Sequence, residues 1–249
     1  EQAPSNVSEE VIARVQGMAP VALEALERYS AVIQGDEFRI KSTYRALGKR
    51  AIHPNSCMLY SDRQYAGRDE WNKLGSNFSV VPCPFDETAS IDWTPVWSFG
   101  ERDFRYLPTS YLYYGYPSNP ETADCWSDSN GNAAGNTLEE AILSGFLEVV
   151  ERDAVAMWWY NRLSRPEVDL ESFDDSYIRR CVDFYREIGR QLWVLDLTKD
   201  FGIPVFIAMS RRSSEAPEEI TMGFGAQFDP RVALVRAISE MNQFLPAAR

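Results

Sequence analysis

Two glutamates three residues apart on a helix project from one face, about a turn apart. The chain carries that spacing twice, each time followed by arginine: Glu24-x-x-Glu27-Arg28 and Glu148-x-x-Glu151-Arg152. Two such pairs facing each other present four carboxylates to one volume, a cage for a hard divalent cation. Magnesium in particular is held by a few carboxylates together with phosphate oxygens and waters. Arg28, Arg152 and Arg236 add planar forks suited to phosphate. A third polar stripe, Arg236, Glu240 and Gln243, lies at i, i+4 and i+7 among Ala233, Leu234, Val235, Ala237, Ile238 and Met241. The loop from Ser129 to Asn136 is rich in small and amide residues, and it leads into a helix opened by Thr137 with Glu140 three residues on. Such a loop can offer backbone N–H groups to an anion, and the helix start favours negative charge. Together these features describe a magnesium–nucleotide site without a P-loop. Read singly, each E-x-x-E-R is also the pattern of solvent-exposed ion pairs, and Glu140 is also a capping-box partner. The conjunction of three stripes is what points to a site.

Composition narrows the classes. A formal charge of −12 over 249 residues argues against a nucleic-acid backbone or an anionic membrane as partner. No run of about 18 apolar residues is present to span a membrane, and the start EQAPSNVSEEV lacks signal-peptide form. His53 is the single histidine and precedes Pro54, which leaves no histidine-rich metal site and gives His53 a structural role. Cys57, Cys83, Cys125 and Cys181 have no C-x-x-C spacing; reduced thiols in a cytoplasm are the expectation.

The elements that must position these residues follow from periodicity and punctuation. Helices are expected at residues 5–17, from Val21 to Ile33, near Ser42–Leu47, from Thr137 through Tyr160, over Asp174–Gly189 and over Arg231–Phe244. The last of these has Asp229 as cap and Pro230 at its first position. Glu140, Ser144, Glu148, Glu151 and Arg152 fall within about 120° of the long helix at roughly 100° per residue. The rest of that helix is apolar on nearly every side, which predicts burial in a core. Strands are expected at Ser56–Tyr60, Phe78–Val81, DWTPVWSF, Phe104–Tyr116, Leu192–Leu197, Ile203–Met209 and Ile220–Ala226, with the prolines favouring an edge or a bend. No linker or low-complexity tract marks a boundary, so the fold class is α/β (α+β) in a single domain over 1–249, with the two E-x-x-E-R helices as a duplicated unit.

The stretch SNGNAAGNTLEEAILSGFLEVVERDAVAMWWYNR resembles the signature of the YcaO family, and the branch it is most similar to is that of the azoline-forming cyclodehydratases of thiazole/oxazole-modified peptides, cyanobactin heterocyclases included. LEALERYSAVIQGDE, SDRQY, DWTPVW, LPTSYLYYGYP, LWVLDLTKDFGIPVF and GFGAQFDPRVALVRAISEMNQFLPA carry the resemblance along the chain from Leu23 onward. It implies ATP and Mg2+ as cofactors. It makes Glu24, Glu27, Glu148 and Glu151 the metal ligands, and places Asn136, Glu140, Arg152, Arg236, Glu240 and Gln243 around the nucleotide, with Arg28 and Ser129 alongside. The implied reaction converts Cys, Ser or Thr of a ribosomal precursor peptide to thiazoline or oxazoline by phosphorylating the backbone amide oxygen. A leader-peptide-binding, E1-like partner or fused domain and a homodimer are the implied assemblies, in the cytoplasm. Thioamide or amidine formation, or a non-catalytic scaffold or binding subunit, are the alternatives the same residues leave open. Pro20 stands where the family's first motif has serine, and relatives continue beyond Arg249 to a proline-rich motif. The expectation is therefore a break in the native chain near Pro20–Val21 and a further C-terminal part, with the catalytic residues unassigned.

Overall fold

The computed structural model describes residues 25–75, 80–117, 122–212 and 219–245. Glu24, the expected helix at 5–17 and the Pro20–Val21 junction lie outside these residues. The chain separates into two compact units, Glu1–Ser129 and Asn130–Arg249.

In the first unit, residues 25–30 are helical. The helix stops short of the expected Ile33 because Val32 bridges to Tyr114 and the Ile33 N–H donates to the Tyr114 carbonyl at 3.0 Å. Three antiparallel strands follow, β1 (Ile40–Ser42), β2 (Ile91–Ser98) and β3 (Asp103–Pro108). Pro95 is tolerated in β2 because β1 pairs only Ile91 to Trp93, so the strand faces β3 alone at the proline. Trp93 is fully buried, packs with Leu47 and Ala51, and donates its indole N–H to the Ser42 carbonyl at 3.0 Å. His53 is structural, as expected: its Nδ1 accepts from the Asn55 N–H and its ring packs edge-on against Tyr44 and Phe85.

Short helices α1 (Tyr44–Leu47), α2 (Asn55–Met58), α3 (Asp62–Ala66), α4 (Arg68–Asn72) and α5 (Thr109–Leu112) complete this unit. Three expected strands are corrected here. Ser56–Tyr60 is instead α2, ended by Leu59 at φ 60, with the Asn55 side chain bonding both the N–H and the carbonyl of Tyr60. Apolar content suggested a strand, but Pro54 starts a helical turn and Asn55 closes it. The run from Phe104 ends as a strand at Pro108 and turns into α5, since proline ends the ladder. Of the expected strand Phe78–Val81, residues 78 and 79 lie outside the described residues, and Val80 and Val81 belong to no strand; the Asn72 amide pairs with the backbone of Val81.

The second unit positions the stripes. Helix α6 (Leu138–Asn161) precedes α7 (Ser176–Glu187), the strands β4 (Arg190–Asp196), β5 (Val205–Arg212) and β6 (Ile220–Ala226), and α8 (Pro230–Phe244). The sheet is antiparallel in the order β4–β5–β6, so the fold is α+β. Successive strand residues point to opposite faces, and each face meets its own helices. Val194, Phe206 and Ala208 pack with Ile178, Cys181 and Tyr185 of α7 and with Ala233, Leu234, Ala237, Ile238 and Met241 of α8. Val205, Ile207, Met209 and Phe224 pack with Val150 and Ala154 of α6. Gly223 and Gly225 face α8, where an added Cβ would stand 2.1 Å from Met241 N and 2.2 Å from the Ala233 carbonyl oxygen.

The long helix departs from expectation on one side. Leu147, Val150 and Ala154 are buried, whereas Leu138, Phe146, Val149, Met157, Trp159 and Tyr160 are exposed. A three-stranded sheet is narrow and covers one face of a 24-residue helix, so apolar character all round did not produce burial all round. Helix α8 opens as the sequence requires, with the Asp229 carboxylate accepting from the Arg231 N–H and Pro230 following it. Asp229→Ala should cost about 1 kcal/mol, a fall of a few degrees in melting temperature that differential scanning calorimetry would detect.

Candidate functional site

The site builds at the outer strand β6, where α6 and α8 bring their polar stripes together. Arg152 lies between the two glutamates of its own helix, Nε 3.6 Å from Glu148 Oε1 and Nη2 3.7 Å from Glu151 Oε1. Glu151 is 7% exposed, in a helix face otherwise given to Val150 and Ala154. Burial first, and then the neighbouring Glu240 carboxylate, raise its pKa from 4.5 to about 7; Arg152 and Arg236 oppose that rise, and Glu148 adds to it. Glu240 on α8 is likewise raised by burial, against the pull of Arg152, the Phe224 backbone amide and Arg236. Glu148 is raised by burial too, while Arg152, the Gly131 backbone N–H and Arg236 draw it down. Three carboxyls and two guanidiniums thus share one electrostatic environment, and every carboxyl in it is held above its ordinary value.

A second cluster sits at the start of α6. The Thr137 hydroxyl accepts from the Glu140 N–H at 3.2 Å, and Glu140 Oε2 accepts from the Asn136 N–H at 2.8 Å. Glu140 therefore caps, but it reaches the residue before Thr137 and ties down the loop. Asn136 and Glu140 are exposed, as is Gln243, three residues beyond Glu240. In the first unit Glu27 is half-buried, and Arg28 and Ser129 are exposed. Residue types alone did not disclose two participants, the backbone amides of Gly131 and Phe224. The glycine at 131 and the Gly-Phe-Gly run at 223–225 were the available signals.

The family model described as YcaO cyclodehydratase, ATP- and Mg2+-binding, matches residues 13–249. The chain belongs to the YcaO family. A heterocyclase solved in complex with substrate and cofactor is 53% identical, covering 89% of this YcaO chain and 30% of its own, with a TM-score of 0.86. The heterocyclase TruD is 52% identical over 94% of this chain and 34% of its own, also at 0.86. An uncharacterized protein of Methanothermobacter thermautotrophicus is 28% identical over 235 residues, 92% of this chain and 54% of its own. The chain thus spans about half the length of that curated relative and about a third of each heterocyclase chain.

The residues present fit the YcaO cofactors, ATP and Mg2+. Glu151 near 7 is a buried carboxyl short of positive charge, the condition a divalent cation relieves. Among the described residues no three Asp, Glu, His or Cys converge tightly enough to hold a metal alone. Magnesium takes one or two protein carboxylates and completes its shell with phosphate oxygens and water. Glu148 and Glu151 would hold the ion, and Arg152 and Arg236 would hold phosphate. Among the described residues no helix is long and apolar enough to cross a membrane.

Proposed function

We propose that this chain is the nucleotide-binding part of an ATP-dependent cyclodehydratase that forms thiazoline or oxazoline from Cys, Ser or Thr of a ribosomal precursor peptide. The observation that carries the reading is the buried Glu151 beside Glu240, bracketed by Arg152 and Arg236. Its chemistry is that of charge stabilisation around a transferring phosphoryl group, and it needs no protein nucleophile. When bound, MgATP supplies the phosphoryl group that turns the peptide amide oxygen into a leaving group. This chain's residues then have three tasks. Glu148 and Glu151 carry the magnesium. Arg152 and Arg236 orient phosphate oxygens and offset the charge that grows on them. Glu240, tied to the Phe224 amide, fixes the strand edge against which the group is seated. Asn136 and Glu140 order the adjoining loop, and Gln243 adds a polar group on the face of α8.

The resemblance to heterocyclases supports the azoline branch, with a leader-binding partner or fused domain delivering the peptide. Cys57, Cys83, Cys125 and Cys181 are free thiols, which supports a cytoplasmic setting.

Arg236→Lys is the decisive test. It keeps the charge and loses the planar fork that grips phosphate through two N–H groups. Turnover should fall by roughly tenfold or more, about 1.4 kcal/mol, with the melting temperature unchanged. Phosphate release by the full-length protein with its peptide partner measures this; wild-type turnover in the variant would remove Arg236 from the site.

A further inference from the structure

A glycine in the middle of a helix costs roughly 0.5–1 kcal/mol relative to alanine, so Gly145, seven residues into α6 and buried, calls for a reason. The reason is an approach by the preceding loop. A Cβ on Gly145 would stand 2.5 Å from the Gly131 carbonyl oxygen, 3.5 Å from the Gly131 carbonyl carbon and 3.6 Å from the Ala133 Cβ. The first two are backbone atoms, so relief would require the loop itself to lift. We propose that Gly145 is a positioning residue of the nucleotide site, leaving open the seat on α6 in which the Gly131–Asn136 loop is held. This rests on the functional reading above.

Three further observations agree. Gly131 has φ +86, and a Cβ there would meet Val149 Cγ2 at 2.9 Å, so the loop side of the contact also tolerates only glycine. The Gly131 N–H donates to the Glu148 carboxylate, which couples the seat directly to the charged cluster. At its other end the loop is tied by the Asn136 N–H to Glu140 and by Gly135, whose Cβ would stand 2.5 Å from Ala141 N. The loop is therefore clamped along one helix at both ends. Its amides are held in place before a ligand arrives, which lowers the ordering cost of binding. Sliding the loop off Gly145 would also take the Gly131 amide away from Glu148.

The test compares Gly145→Ala with wild type in the full-length protein. The expected result is an apparent Kd for MgATP about tenfold weaker by titration calorimetry and a KM raised to match. Saturated kcat should stay within about threefold of wild type, and the melting temperature should hold, because alanine is the better helix former. Hydrogen exchange in the nucleotide-free protein should show the Gly131 amide losing protection. Gly131→Ala, which changes no residue of the helix, should weaken MgATP binding to the same degree and serves if Gly145→Ala does not fold. Wild-type Kd in either variant, or an unchanged Gly131 exchange rate in Gly145→Ala, would overturn the proposal. Wild-type protein that binds no MgATP would sink the functional reading, and this role with it.

Discussion

Glu151→Gln should abolish most ATP-dependent turnover and, at the same time, make the nucleotide-free protein more stable. The first effect follows from removing the carboxylate proposed to hold magnesium at the centre of the cluster. A loss of at least about 100-fold is expected, about 2.7 kcal/mol. The second follows from the cost of keeping Glu151 charged where it is. Its pKa rises from 4.5 to about 7 through burial and then Glu240. Between those values the folded protein retains a proton that the unfolded chain has released, so this group's contribution to stability declines as pH rises from 4.5 to 7. Above 7 the whole cost stands, at most about 3.5 kcal/mol at about 1.4 kcal/mol per pKa unit. Glutamine fits the same space without charge. In EDTA, the variant should therefore melt above wild type at pH 8, and the difference should vanish toward pH 4.5. Saturating MgATP should reverse the order at pH 8, because only wild type gains the full binding free energy. A variant no more stable than wild type at pH 8 in EDTA would mean that Glu151 is not a destabilised buried charge.

That trade-off was partly legible in the residues. Glutamates at i and i+3, and Arg236 with Glu240 at i and i+4, announce shared helix faces because side-chain direction on a helix is periodic. Thr137 and the Asp229-Pro230 pair announce helix starts because capping is local chemistry. The sequence could not show which stripes would meet, since that depends on a narrow sheet with α6 on one face and α8 on the other. Nor could it show that the Gly131 amide, in a loop expected to offer N–H groups, would meet Glu148, or that the Phe224 amide would meet Glu240. Ser56–Tyr60 has the apolar content of a strand, but Pro54 and Asn55 set a helical turn there. Composition likewise gave no boundary at Ser129–Asn130, where the two compact units divide within a loop of small residues. The spacing alone reached a magnesium–nucleotide site; ATP as the nucleotide came from the resemblance.

The largest loss of stability should come from one methyl group on β6. Gly223 and Gly225 sit two apart, so both face α8, and their missing side chains let the helix lie directly on the strand backbone. A Cβ at Gly223 would stand 2.1 Å from Met241 N, 2.4 Å from the Ala237 carbonyl oxygen and 2.8 Å from Met241 Cα. All three are backbone atoms in the middle of a helix, and no rotamer change can move them. Gly223→Ala must displace α8 as a body, opening the packing of Ala233, Leu234, Ala237, Ile238 and Met241, each wholly buried. Overpacking of this kind costs up to about 3 kcal/mol, on the order of 10 °C in melting temperature for a unit of this size. The same displacement would carry Arg236 and Glu240 away from Glu151, so MgATP affinity should fall with stability. Gly100→Ala is the control, because nothing lies within 4 Å of its Cβ and its backbone is not in the left-handed region. It should melt within about a degree of wild type. Calorimetry on the two variants decides the matter: a Gly223→Ala protein that melts with the control would mean that the helix is not seated on the glycines, and that the positions of Arg236 and Glu240 are set by something else.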